Sequence, residues 1–368
     1  MIDLQEHQKF MKIAIELAKK AIGTTFPNPP VGCVIVKNGV IISACNTQPQ
    51  GRTHAEVSAI NKANKEALSG ATMYVTMEPC SHFGKSPPCV NSIIPSGIKK
   101  VFVANKDANP KVNGAGILAL RNAGIDVVED FMHKEAMEVN LPFFRAITEK
   151  LPFVTLKLGT SLDGKIALNN GKSKWITSNY ARNYAQILRY RNDAILVGIN
   201  TIKSDNPSLT LRLQGLERFS PLRIVIDKNL EISEKSEISQ TANKFRTIIF
   251  CSKNSLENNS KKFENTLLEI ISVSEKENKL NLLEILNKLA EIGVSRLLIE
   301  GGKGIATSFL KENLIDEIQL ISSAKILGDD AISTFGELNL SEIPLENFSL
   351  KSMQILEKNS LKIYRKCL

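Results

Sequence analysis

Long hydrophobic runs are missing from this sequence of 368 residues. Nothing in it approaches the roughly 20 consecutive apolar residues of a membrane-spanning helix, so no membrane association is expected. The stretch from Met1 to Lys20 is studded with charges and lacks the apolar centre of a signal peptide. Cysteine is sparse. The six at positions 33, 45, 80, 89, 251 and 367 are too few for a disulfide scaffold, and a reducing, cytoplasmic setting is expected. Aromatic residues make up only 6% of the chain, and Trp175 is the single tryptophan. A dense Lys/Arg block is absent too: the net charge of +9 is spread as +4 over residues 1–150 and +5 over the remainder. Nucleic-acid binders concentrate positive charge on one face or arm and interleave aromatics, so no nucleic-acid partner is expected. A diffuse, mildly basic balance suits phosphorylated small molecules better.

What is present is an ordinary globular composition, 43% hydrophobic and 23% charged, at a length that predicts two domains. The chemistry lies in two short stretches. One is His54-Ala55-Glu56; the other is Pro79-Cys80, with Cys89 nine positions after Cys80. One imidazole and two thiolates suit tetrahedral zinc, and three protein ligands leave a fourth position open for water. Such a site is catalytic rather than structural. Glu56, two residues from His54, can reach the same cavity without ligating and can move a proton between water and a leaving amine.

These residues resemble the zinc-dependent cytidine/deoxycytidylate deaminase superfamily, whose signature is H-x-E followed by P-C and a second cysteine. The usual P-C-x-x-C is stretched here by Ser81-His82-Phe83-Gly84-Lys85-Ser86-Pro87-Pro88. That widened form is similar to the riboflavin-biosynthesis deaminases. The resemblance implies zinc on His54, Cys80 and Cys89, with Glu56 as the catalytic proton carrier. It also implies that Pro27-Asn28-Pro29-Pro30-Val31-Gly32 lines a pyrimidine pocket, with Asn28 on the base edge. Asp107-Ala108-Asn109-Pro110 with Gly114-Ala115-Gly116 either contacts the ribose-phosphate or is a glycine-rich loop only. His82 is a spare ligand, a phosphate contact or a loop histidine without a catalytic role; His7 and His133 are assigned nothing.

Along the chain, Gln8 to Lys20 carries apolar residues at helical spacing. Asn38-Gly39 between two apolar runs signals a hairpin. A helix follows His54, strands are expected at Thr72–Thr76, Val101–Ala104 and Ile125–Val128, and a helix at Ile117–Ala123. Alternating strand and helix predicts a three-layer α/β/α sheet. Leu141-Pro142 and Leu151-Pro152 bracket an apparent connector, which places the boundary between domains 1–146 and 147–368. In the second half, strands are expected at Phe153–Leu158, Ala194–Gly198, Leu222–Asp227, Arg246–Cys251, Arg296–Glu300 and Asp316–Ile321. A helix is expected at Asn179–Arg191, and Lys261–Leu282 reads as a solvated, variable region.

The runs S-L-D-G-K-I-A, S-x-W-I-T-S, D-N-P-x-L-T-x-R and E-G-G resemble the reductase domain of the bifunctional riboflavin enzymes, which implies a dihydrofolate-reductase-like α/β fold. By that resemblance, Ser173, Arg189, Leu209 and Arg212 meet a ribose-phosphate and Glu300 lies beside the reacting sugar. Gly159, Trp175, Thr201 and Asp205 border NADPH, and Lys228 neighbours its extra phosphate. Gly301 and Gly302 follow a strand and precede a helical run, where backbone N–H groups can approach a pyrophosphate. The whole implies a bifunctional enzyme. Zinc-dependent deamination of 2,5-diamino-6-ribosylamino-4(3H)-pyrimidinone 5′-phosphate is followed by NADPH reduction of ribosyl to ribityl, in a homo-oligomer. A nucleic-acid base deaminase with a C-terminal targeting domain is the rival reading, and a non-catalytic zinc module is a second.

Overall fold

The computed structural model describes residues 3–84, 86–109, 113–169, 176–263, 266–338 and 348–367. The chain divides into two compact units, Met1–Leu151 and Pro152–Leu368.

The first unit opens with α1 (Leu4–Ala21), started by Asp3, whose side chain accepts from the Glu6 N–H. β1 (Gly32–Lys37) and β2 (Val40–Asn46) form the expected hairpin, with Asn38 and Gly39 at φ 51° and 77° as a two-residue turn of this hand requires. There follow α2 (Ala55–Lys62), α3 (Lys65–Leu68), β3 (Thr72–Val75), α4 (Val90–Ile93), β4 (Lys100–Val103), α5 (Ala115–Asn122), β5 (Asp126–Val128) and α6 (His133–Thr148). The sheet runs β2-β1-β3-β4-β5; β3, β4 and β5 are parallel, and β1 is antiparallel to β3.

Strand alternation sorts the apolar side chains into two cores. Val34, Val36, Tyr74 and Phe102 pack with Phe10, Met11 and Ala14 of α1 and with Ala136 and Val139 of α6. Cys33, Ile35, Met73, Val75, Val101 and Val103 face the other way, toward Ala55, Ala59, Ile93, Ile117 and Leu120. Each fully buried aliphatic or phenyl side chain contributes about 1.5–3 kcal/mol relative to exposure, so two filled faces hold the three layers. The second face also carries Cys89 and the start of α2. It is therefore the one that presents the metal motif.

The apparent connector is not one. α6 runs through it to Thr148 with Pro142 inside and buried, so residue 147 lies in its last turn, and the compact units part at Leu151/Pro152. A proline in a helix interior forfeits one hydrogen bond. Here the buried stripe Ala136, Val139, Asn140, Pro142 and Ala146 outweighs that loss.

The second unit contains, in order, β6 (Phe153–Thr160), β7 (Lys165–Ala167), α7 (Asn179–Tyr190), β8 (Ala194–Gly198), α8 (Ile199–Asp205), β9 (Leu222–Ile226), α9 (Glu237–Gln240), β10 (Thr247–Ser252) and α10 (Lys253–Phe263). β11 (Glu269–Val273), β12 (Glu275–Lys276), β13 (Lys279–Leu280), α11 (Leu282–Glu291), β14 (Arg296–Ile299), α12 (Lys303–Lys311), β15 (Glu317–Ser323), β16 (Ile332–Ser333), β17 (Phe348–Leu356) and β18 (Asn359–Lys366) complete it. Among the described residues nine strands form one sheet, β11-β10-β9-β8-β14-β6-β15-β18-β17. It is parallel from β11 through β15, and β18 and β17 add antiparallel. The charged stretch 261–282 is more structured than expected: it holds the sheet strand β11 and buries Leu268, Val273 and Leu280. Phe263, Leu268, Val273, Leu280 and Leu282 face inward while Leu267 stays exposed, and polar neighbours hide the buried set in the sequence. Among the described residues no helix is long and apolar enough to cross a membrane.

Candidate active sites

In the first unit, His54 is the residue preceding α2 and Cys89 the residue preceding α4, while Cys80 lies in the loop after β3. The His54 Nδ1 atom is 3.1 Å from Cys89 Sγ and 3.5 Å from Cys80 Sγ, and the two sulfurs are 3.5 Å apart. Zn–S bonds of about 2.3 Å and Zn–N bonds of about 2.0–2.1 Å imply tetrahedral edges of roughly 3.5–3.8 Å. The donor set and its spacing fit zinc. Among the described residues this is the group of three or more metal-ligating side chains that comes together, and neither Glu56 nor His82 belongs to it.

The local charges prepare the thiols. The hydrogen bond with the Cys89 thiol, with further ones to His54 and the Cys89 N–H, holds Cys80 down at about 4 against the opposing effect of burial. Cys89 is pushed up, first by its hydrogen bond with Cys80 and then by burial. A bound cation favours the thiolate form of both. Its hydrogen bond to Cys80 raises His54 against the opposing effect of burial. Glu56 is 3% exposed in the first turn of α2. Burial raises its carboxyl, with the His54 charge pulling the other way. A proton carrier near a zinc site is expected to have such a setting.

Asn28 is half-buried on the segment leading into β1, with its Nδ2 donating at 3.3 Å to the O of Gly51, which lies just before His54. Sequence reasoning missed Glu78. Its buried carboxylate accepts from the N–H groups of Asp107 (3.1 Å), Gly114 (2.9 Å), Gly116 (2.9 Å) and Ile117 (3.3 Å). This one side chain fastens Asp107, Gly114 and the start of α5 beside the cysteine motif. The approach is so close that a Cβ on Gly116 would stand 1.9 Å from Pro79 O. The detectable signal was a carboxylate directly before Pro79-Cys80. His82 is half-buried and its charge is felt by Asp107, but its Nδ1 has no partner among the described residues.

In the second unit Gly159, Thr201, Asp205, Lys228 and Glu300 to Gly302 lie at or just past the carboxyl ends of parallel strands, the usual ligand edge of such a sheet. Gly159 lies near the end of β6, 3.6 Å at its would-be Cβ from Thr177. Thr201 and Asp205 are one turn apart on α8 after β8, Lys228 follows β9, and Glu300-Gly301-Gly302 follows β14. A Cβ on Gly301 would meet Ile305 at 2.8 Å, whereas Gly302 faces open space. Ser173 and Trp175 lie outside the described residues.

Glu300 and Arg189 form a largely buried two-pronged pair, each side chain 10% exposed: Arg189 Nε donates to Oε1 at 2.9 Å and Nη2 to Oε2 at 3.1 Å, while Nη1 donates to Thr210 O at 2.9 Å. Arg189 was expected to grip a phosphate. Its guanidinium is instead committed to Glu300 and the Thr210 carbonyl, because a buried carboxylate left unpaired is costly. Burial alone would raise the Glu300 carboxyl, but Arg189, Lys157 and Arg212 hold it at about 2. Lys157, whose Nζ is 3.9 Å from Glu300, was missed, although a lysine inside an apolar strand run was its visible signal. Arg212 is exposed, and buried Leu209 stands at φ 53°. Lys228 is engaged by Glu275 at 2.6 Å and by Asn278 O at 2.8 Å.

Comparison with known proteins agrees with this division. The "Cytidine and deoxycytidylate deaminase zinc-binding region" matches residues 4–105, and the "RibD C-terminal domain" matches residues 152–360. The chain is 42% identical over 336 residues to riboflavin biosynthesis protein RibD of Aquifex aeolicus (strain VF5), covering 91% of each. It is 36% identical over 340 residues to RibD of Escherichia coli (strain K12), covering 89% of this chain and 90% of that one. Two solved structures superpose along its length. Acinetobacter baumannii RibD, form 1, has a TM-score of 0.87 at 32% identity and covers 100% of both chains. A diaminohydroxyphosphoribosylaminopyrimidine deaminase/5-amino-6-(5-phosphoribosylamino)uracil reductase from Thermotoga maritima has a TM-score of 0.85 at 36% identity and covers 99% of both. With a zinc-deaminase half, a reductase half and relatives matched from end to end, this chain belongs to the RibD family of riboflavin biosynthesis proteins.

Proposed function

We infer that the chain carries out both reactions of its family, deamination of a phosphorylated diaminopyrimidine and then NADPH reduction of its ribosyl chain. The observation that carries the first is the convergence of His54, Cys80 and Cys89, with Glu56 buried two residues after His54 and outside the donor set. In this reading His54, Cys80 and Cys89 hold the zinc, which supplies a Lewis acid that brings the pKa of water down toward neutrality. Glu56 takes the proton of the attacking water at its carboxylate and gives it to the departing amine. A C–O bond forms, the C–N bond breaks and ammonia leaves. Asn28 orients the base, since one amide both donates and accepts.

In the second unit NADPH supplies the hydride when bound, and the protein's share is to orient and to exclude competing chemistry. Gly159, Thr201, Asp205, Gly301 and Gly302, with Ser173 and Trp175, are assigned to the cofactor and substrate as their motifs imply. Glu300, ionised above pH of about 2, is an acceptor for sugar hydroxyls rather than an acid. Leu209 and Arg212 take the phosphate, and Arg189 supports Glu300 from beneath. A cytoplasmic homo-oligomer completes the proposal, supported by the thiolate site and by the apolar Leu350, Met353 and Ile355 exposed on edge strand β17.

The test supplies each half with its own substrate. Ammonia release from the diaminopyrimidine phosphate is compared with release from cytidine and single-stranded DNA, and NADPH oxidation is followed with the deaminated product. Turnover of cytidine or DNA in preference to the pyrimidine phosphate would refute the reading.

A further inference from the structure

The segment Ser208–Arg212, between α8 and β9, has no regular structure of its own, yet side chains fix four of its backbone groups. Arg223 Nη1 donates to Ser208 O at 3.2 Å and Arg189 Nη1 to Thr210 O at 2.9 Å. The Leu211 N–H donates to Ser220 Oγ at 3.0 Å, and the Arg212 N–H donates to Gln186 Oε1 at 2.9 Å. Between these ties the N–H groups of Leu209 and Thr210 have no partner among the described residues, although both residues are buried. Buried backbone N–H groups are nearly always paired, so two neighbouring free ones mark a place kept for an acceptor.

Gln186 is the least expected of the ties. It sits one helical turn before Arg189 on α7, on the same face, and is 6% exposed. An amide in such a place is costly unless it is hydrogen-bonded, and only its oxygen can receive the Arg212 N–H. We propose that Gln186 is a positioning residue of the reductase half: by holding the Arg212 backbone it sets the Leu209–Arg212 segment so that its free N–H groups and the Arg212 guanidinium meet the substrate's phosphate. This rests on the reading of Leu209 and Arg212 as the phosphate-binding residues. One turn of α7 then serves both ends of the substrate, with Arg189 under Glu300 at the sugar and Gln186 under Arg212 at the phosphate.

The test uses the full-length, zinc-loaded protein and the deaminated pyrimidine with and without its 5′-phosphate. Gln186→Leu keeps the buried volume without the acceptor, and Gln186→Asn keeps the amide one methylene out of reach. Either variant is expected to raise KM for the phosphorylated substrate about tenfold, the size of one such hydrogen bond, with kcat within about twofold. The KM for NADPH, ammonia release and the slow reduction of the phosphate-free substrate are expected to be unchanged. A merely structural role would depress both substrates alike, and that outcome overturns the proposal. Arg212→Met separates the two layers of argument. If it leaves the preference for the phosphorylated substrate intact, the phosphate reading falls and the proposal with it. If it abolishes the preference while both Gln186 variants retain it, the proposal alone is wrong.

Discussion

The two sites are built by opposite means. In the first unit three donors fall within residues 54–89, two of them directly preceding helices, and meet within 3.5 Å of one another. In the second, Lys157 of β6 and Arg189 of α7 meet Glu300 just past the end of β14, although the three lie far apart in the chain. A site whose geometry is local fails by losing a ligand. A site assembled from strand ends fails by losing the side chains that brace one segment against another.

Breaking that comparison is easiest at its sharpest point. Cys89→Ser is expected to remove zinc and abolish ammonia release while NADPH oxidation with the deaminated substrate persists; metal analysis and the two assays read it directly. Glu56→Gln keeps size and hydrogen bonding, so zinc is retained and ammonia release falls about 10²–10⁴-fold with reduction unaffected. A reductase silenced by Glu56→Gln in folded protein would show that the two sites are not independent.

Glu300→Gln probes the braced site. Removing one partner of a buried ion pair costs about 3–5 kcal/mol because the other charge stays buried, so denaturant unfolding of the reductase half is expected to shift by that order. The pH dependence has a definite sign. A carboxyl held at about 2 in the folded state stabilises fully above its unfolded value of about 4.3, and that stabilisation fades as pH falls toward 2. The stability gap between the natural protein and Glu300→Gln is therefore expected to narrow across that window; a constant gap would contradict the ion-pair account. The smallest effect is expected at Lys228. NADPH should be preferred over NADH, but Lys228→Ala should reduce the preference less than about tenfold, because the ammonium already serves Glu275 and Asn278. Initial rates with the two cofactors measure it.

Legibility followed the same division. The convergence of His54, Cys80 and Cys89 could be read from the sequence because metal chemistry restricts both residue type and spacing. The Asn38-Gly39 hairpin and the alternating strands could be read because turn sterics and the pleat act locally. Glu78 could not, since its four N–H partners lie 29 to 39 residues away. Nor could the commitment of Arg189 to Glu300, across 111 residues, where the sequence shows two charged residues and hides their pairing. α6 was mistaken for a connector because a proline's local signal is strong and the buried stripe that overrides it is tertiary.

One detail of the first unit reaches beyond chemistry. His54 and Cys89 stand where α2 and α4 would ordinarily receive a capping side chain, and neither makes that hydrogen bond. What holds these two residues is their contact with each other and with Cys80, and, in the proposed reading, the ion that all three would bind. Stability of the deaminase half then becomes a function of free metal, rising by RT ln(1 + [metal]/Kd), while that of the reductase half carries no such dependence. A chelator is, for this chain, a denaturant with an address.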